Sequence, residues 1–257
     1  PMFEQDVAPY LDRLEPEGIY SKMVKICGIG ESKAETMIAD LMDSQTNPTI
    51  ATYAKTGEVH LRVTARAADE KEAKKLVKPY VKELKGRFGN HVYTTQEEVT
   101  LEKAVIDLLL ANHLTVGTVE SCTGGLLAAR LINVPGVSEV FKTGYITYSN
   151  KSKRKLLGIK KTMLEKYGAV SPQIAKEMAK GAALFGKADV TVGITGVAGP
   201  DGGSEEKPVG LVYIACNVCG RINVKECHFS GNRMKIRESS VSSALSLMRE
   251  SILAYYS

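Results

Sequence analysis

Thr115-Val116-Gly117-Thr118-Val119-Glu120-Ser121-Cys122-Thr123-Gly124-Gly125-Leu126-Leu127 is the stretch whose reading decides the fold. Its first half alternates β-branched with small residues, as a short strand does. From Thr123 onward Leu126, Leu127, Leu131 and Ile132 recur at helical spacing. The period changes at Glu120-Ser121, so the chain reads strand, turn, helix, with a serine in the turn. That order puts the Ser121 hydroxyl beside the unpaired first N–H groups of a helix. Gly124 and Gly125 place no side chain between that backbone and a ligand. Such a corner either holds an anion at the helix N-terminus or presents a serine nucleophile next to an oxyanion hole. The plainer alternative is that Ser121 or Thr123 only caps the helix.

Outward from this corner, helix and strand keep alternating. Gln96-Glu97-Glu98 opens a helix with Val105, Ile106, Leu108, Leu109 and Leu110. Beyond Ser121 come a strand at 144–148, helices at about 151–157 and 172–185, and a buried strand at 190–194. A hairpin pair follows at 209–218 and 222–229, then a closing helix over 233–254. The pattern predicts a layered α/β domain whose ligands gather at the C-terminal ends of its strands.

The preceding segment has a different rhythm. Residues 1–15 are a short amphipathic stub ending at Pro16. A strand over 19–26 leads into a helix with Met37, Ile38, Leu41 and Met42 on one face. A hairpin over 48–67 turns at Lys55-Thr56-Gly57. A charged helix over 68–86 and a strand at 91–94 complete a βαββαβ unit of small α+β type. Gly86-Arg87-Phe88-Gly89 formally matches the GxxG of KH nucleic-acid-binding domains. It lies between a helix and a strand, however, rather than between two helices.

Charge argues the same way. Residues 1–97 hold 14 Lys+Arg against 15 Asp+Glu, a balance of −1, which cannot supply the counterion release of nucleic-acid binding. Nucleic acid is therefore not expected as a partner. The remaining residues hold 20 against 14, and Lys151 to Lys161 alone contains six cations. That excess suits a small anionic ligand, although a solvated helix face explains most such runs.

The 257 residues, 44% hydrophobic and 25% charged, have the composition of an ordinary globular protein. No run of 18 apolar residues occurs, so no membrane span is expected. The N-terminus lacks a signal peptide's layout, and because the sequence begins on Pro1 it reads as part of a longer protein. Five cysteines without a framework spacing point to a reducing cytoplasm. Cys216-Asn217-Val218-Cys219 has CxxC spacing but sits in an apolar run without a second pair, and it reads as packed thiols. His60, His91, His113 and His228 are scattered, so neither a metal nor a cofactor is expected.

Three further segments carry polar chemistry. Tyr145-Ile146-Thr147-Tyr148-Ser149-Asn150-Lys151-Ser152-Lys153 ends a strand in polar and cationic residues. Gly196-Val197-Ala198-Gly199-Pro200-Asp201-Gly202-Gly203 is a glycine-rich loop after the buried strand. Phe229-Ser230-Gly231-Asn232-Arg233 leads into the last helix, where an arginine opposes the helix dipole unless an anion is bound.

Together with Gly168-Ala169-Val170-Ser171 and Ser204 through Gly210, these motifs resemble the C-terminal domain of CinA proteins, itself similar to the stand-alone nicotinamide-nucleotide amidase. Residues 16–95 resemble the KH-like middle domain of that family. The resemblance implies an α/β/α layered C-terminal domain over 96–257 behind a smaller KH-like α+β domain over 16–95. It also makes residues 1–15 the tail of an absent molybdopterin-binding-like domain. The implied reaction is hydrolysis of the carboxamide of nicotinamide mononucleotide to nicotinate mononucleotide and ammonia, and a homodimer is expected. By the same resemblance Ser121 is the nucleophile, with Tyr148 and Lys153 as its catalytic partners. Glu120, Thr123, Gly124, Gly125, Asn150, Gly196, Gly199, Gly202, Gly203 and Arg233 are the substrate-binding set. The competing reading is a nucleotide-binding or competence-related module without turnover.

The chemistry suits that assignment. A serine hydroxyl needs a base, no motif carries a histidine, and a lysine is the available group. To act, it must be neutral, so its pKa must fall from about 10.4 toward 7–8. Burial and neighbouring cations push it in that direction.

Overall fold

The structure, a computed structural model, describes residues 2–7, 10 and 18–257. Positions 1, 8, 9 and 11–15 of the stub over 1–15 lie outside the described residues. The chain divides into two compact units, Pro1–Val99 and Thr100–Ser257.

The first unit contains β1 (Gly18–Cys27), α1 (Glu31–Asp43), β2 (Thr49–Lys55), β3 (Glu58–Ala67), α2 (Glu70–Phe88) and β4 (Val92–Thr94). Its antiparallel sheet has the order β2-β3-β1-β4. Along β3, Val59, Leu61, Val63 and Ala65 fall on one face and pack against Ile38 of α1 and Val77, Leu84 and Phe88 of α2. That alternation fixes the register, because a one-residue slip would turn the whole set outward. Gly86 to Phe88 form the last turn of α2 itself, and Gly89 is its C-cap. Its Arg87 is tied to Asp40 and Glu83.

The acidic Gln96-Glu97-Glu98 does not open the next helix. Buried Lys25 takes the carbonyls of Glu97 and Val99 at 2.5 and 3.0 Å. The helix starts at Leu101 instead, with Thr100 accepting from the Lys103 amide at 3.2 Å.

The second unit is three layers deep. Its elements are α3 (Leu101–Ala111), β5 (Val116–Glu120), α4 (Leu126–Ile132), β6 (Phe141–Ile146), α5 (Asn150–Leu157), α6 (Lys161–Tyr167), α7 (Pro172–Gly186), β7 (Val190–Gly196), β8 (Leu211–Val218), β9 (Arg221–His228) and α8 (Arg233–Tyr256). The sheet order is β6-β5-β7-β8-β9, parallel among the first three strands and antiparallel beyond. Helices α3, α4 and α8 pack together, and so do α5, α6 and α7.

Three local features depart from the sequence reading. β6 runs from Phe141 rather than from 144, and it stops at Ile146. Its partner β5 ends opposite, at Glu120, so Thr147 and Tyr148 leave the ladder. Helix α6 was not anticipated at all; it is a seven-residue piece held by Leu164 in the core. Of the CxxC pair, Cys216 is buried, but Cys219 is exposed in the hairpin turn. Val218 pairs with Arg221, leaving Cys219-Gly220 as a two-residue loop with positive φ at both positions, the geometry that twisted hairpins favour.

Candidate active site

In the sheet order β6-β5-β7, the chain leaves β5 into α4 and leaves β6 into α5, helices that belong to the two different packing groups. The crevice between such strands is where open α/β sheets bind ligands. Ser121 follows β5 directly, and Lys153 sits one turn into α5. Both approach that crevice from the C-terminal ends of their strands.

The turn after β5 is built by Glu120. Its carboxylate, 1% exposed, accepts from the amides of Gly125, Leu127 and Ala128 at 3.1, 3.0 and 2.9 Å. A buried carboxylate is tolerable only when so bonded. The cap of α4 is therefore Glu120, reaching forward, and not Ser121 or Thr123. These bonds also occupy the first amides of the helix, so the anion site expected there is filled by the protein's own carboxylate. Gly124 donates to the Ser121 carbonyl at 3.1 Å, and Arg237 of α8 donates to the Thr123 carbonyl at 2.8 Å. The turn is fixed on three sides, and the Ser121 amide extends the ladder to the Ile194 carbonyl at 3.0 Å.

Opposite stands Lys153. Ser149 and Ser152 form a capping box that starts α5. One turn along, Lys153 points inward and is 1% exposed. Its Nζ donates to the Thr147 carbonyl at 2.6 Å and to Ser121 Oγ at 3.0 Å. Burial lowers its pKa from 10.5 to about 8, outweighing the opposing pull of the neighbouring Cys122. The neighbouring Cys122 also lines the pocket, but burial pushes its thiol up to about 11, so it stays protonated. The geometry and the protonation states thus favour Ser121 over Cys122 as the nucleophile.

The pocket in front of this pair has a volume of about 280 Å³. Tyr148 and Arg233 form one rim: Arg233 donates to the Tyr148 hydroxyl oxygen at 3.0 Å and to the Gly199 carbonyl at 2.7 Å. Gly196, Gly199 and Gly202 line the loop wall. Gly199 has φ +72, and an added Cβ would meet Val209 Cγ1 at 2.5 Å, so the loop cannot follow this path with a side chain there. Apolar Ala169, Val170, Val197 and Ala198 and the acidic Asp201 also line it.

Ser121, Tyr148, Lys153, Arg233, Gly196, Gly199 and Gly202 therefore converge, and the others of the expected set do not line this pocket. Glu120, Gly124 and Gly125 build the turn, Thr123 is fully buried, and Asn150 borders a different groove. Thr195 was missed by the sequence reading. It is 1% exposed at the end of β7, donates to the Ala169 carbonyl at 2.8 Å and lines the pocket. Its place beside Gly196 at the end of an apolar strand was the available signal.

Among the described residues, no group of three His, Cys, Asp or Glu side chains is placed to hold a metal ion, and no helix is long and apolar enough to cross a membrane.

Comparison with known proteins agrees with these features. Residues 98–252 match the CinA C-terminal domain, and residues 21–94 match the KH domain of the damage-inducible protein CinA. A CinA-like protein of Dictyoglomus turgidum is 49% identical over 253 residues, covering 98% of this chain and 61% of that protein. The chain spans about three fifths of the length of the curated relatives it matches. The crystal structure of the competence/damage inducible protein CihA from Agrobacterium tumefaciens superposes with a TM-score of 0.57 at 40% identity, covering 61% of this chain and 94% of that one. A CinA superfamily protein from Escherichia coli gives 0.56 at 33% identity, covering 63% of this chain and 97% of that one. The chain belongs to the CinA family, and its two domains are the family's KH and C-terminal domains.

Proposed function

We propose that the second unit hydrolyses the carboxamide of nicotinamide mononucleotide, giving nicotinate mononucleotide and ammonia. The observation that carries this reading is the buried Lys153 amine, with its pKa near 8, 3.0 Å from Ser121 Oγ. Neutral Lys153 takes the hydroxyl proton as Ser121 Oγ bonds to the amide carbon. The Cys122 amide, next to the nucleophile and not taken by the capping bonds, is the turn's donor to the developing oxyanion. The C–N bond then breaks as the Lys153 ammonium returns its proton, directly or relayed through Tyr148, to the leaving nitrogen, which departs as ammonia. Water, deprotonated by the same amine, cleaves the serine ester and releases the carboxylate. Arg233, anchored by two bonds and still holding unused N–H donors, takes the substrate's phosphate.

The test is incubation of the purified chain with nicotinamide mononucleotide while ammonia and nicotinate mononucleotide are quantified. Equimolar formation of both supports the amidase. Binding of the nucleotide without release of ammonia would instead leave a nucleotide-binding module.

A further inference from the structure

The six-cation run over Lys151 to Lys161 has no part in that chemistry beyond Lys153, which turns inward. Its other members form a groove of about 790 Å³ between α5 and α6. Lys151, Arg154 and Lys155 occupy one wall, spaced along the outer face of α5, and Lys160 and Lys161 come from the start of α6. The walls are not free to separate: Leu157, Ile159 and Leu164 are buried in one core cluster that pins both helices. The groove has a single acid, Glu165, and Lys161 takes it at 3.3 Å. Among the described residues, no acid pairs with Lys151, Arg154, Lys155 or Lys160.

Clustered cations repel one another, and spreading into solvent or pairing with acids relieves that repulsion. Arg154 and Lys155 are accounted for by the C-terminal turn of α5, where a helix favours positive charge. Lys160 and Lys161 enter a helix at the end that disfavours it. Four cations without an acidic partner among the described residues, Lys151, Arg154, Lys155 and Lys160, line one groove held by a shared core, and together they suit a ligand with several negative charges close together. The volume lies in the range of small-molecule sites, which favours a compact polyanion over an extended acidic chain.

We propose that this groove binds a polyphosphate group, either as free polyphosphate or as the phosphate chain of a nucleoside triphosphate. The site is separate from the Ser121 pocket, and the proposal stands independently of the amidase reading.

The experiment is titration calorimetry of the full chain with inorganic tripolyphosphate and, separately, with ATP, at low and at raised salt. Saturable one-to-one binding that weakens with salt is expected. Lys155→Glu with Lys160→Glu should weaken it by at least about 30-fold, whereas Lys142→Glu, an exposed lysine on β6, should change it less than about threefold. Tighter binding of ATP than of tripolyphosphate assigns the nucleoside a contact, and equal binding assigns only the phosphates. Absence of saturable binding overturns the proposal. So does equal weakening by Lys142→Glu, which would mark a diffuse field, and so does unweakened binding in the double variant with its circular dichroism unchanged.

Discussion

The Lys153 amine donates to the Thr147 carbonyl at 2.6 Å and to Ser121 Oγ at 3.0 Å, so one backbone carbonyl aims the amine at the hydroxyl. The carbonyl is itself fixed, because the Thr147 amide donates to the Glu120 carbonyl at 2.8 Å. Amine and hydroxyl are thus held at the C-terminal ends of neighbouring strands.

The first prediction concerns pH and activity. The proposed base, Lys153, works only when neutral, and its pKa is about 8. The specificity constant should rise about tenfold per pH unit below that value and level off above it. A profile flat from pH 6 to 9 would place the base elsewhere.

The same lysine has a measurable effect on stability. The unfolded chain holds the Lys153 proton up to about 10.5 and the folded chain only to about 8. Between those values the unfolded state binds more protons, so stability rises with pH there, and the full cost applies below 8. That cost is on the order of 3 kcal/mol. Lys153→Met lacks it, so its stability relative to wild type should decline by up to about that amount from pH 7 to pH 10.5. Urea denaturation of both proteins across that range measures the difference. A constant offset would mean that the amine is not desolvated.

Glu120 should behave as a structural capping group. Its replacement by Ala leaves three amides at the start of α4 unpaired and should cost at least about 2 kcal/mol, together with a fall in kcat. Glu120→Gln keeps an acceptor and should lose less. If Glu120→Ala raised KM alone and left the melting temperature unchanged, the carboxylate would be contacting substrate instead.

Arg233→Ala should weaken use of nicotinamide mononucleotide far more than use of its phosphate-free riboside. Charge-assisted hydrogen bonds are each worth about 1.5–3 kcal/mol, or roughly 10- to 150-fold. The quantity to compare is the ratio of the two specificity constants in wild type and variant. An unchanged ratio would transfer the phosphate to the Gly196–Gly203 loop.

The sequence disclosed a good deal of this, for identifiable reasons. The strand-turn-helix at Ser121 was legible because periodicity switches there from two to 3.6 within a few residues. Every strand of the two sheets was anticipated, although β6 was displaced by three residues; its true end depends on where β5 stops. The role of Glu120 was not legible. A carboxylate capping amides five to eight positions ahead has no local pattern, and beside a serine it resembles a ligand-binding acid. That Asn150 lines the other groove was likewise not legible, because its position next to the Tyr148 motif says nothing of which side of α5 it faces. That Lys151 and Lys155 share a groove with Lys160 depends on the turn at Gly158, whose φ of +68 ends one helix shortly before the next, only the first of which was predicted.

The most direct test of the central claim is single-turnover release of ammonia from nicotinamide mononucleotide by wild type and by Ser121→Ala at pH 8. A serine nucleophile with a lysine base predicts a fall of at least about 10³-fold in the variant, with nucleotide binding retained. Ammonia release within tenfold of wild type by Ser121→Ala would contradict it.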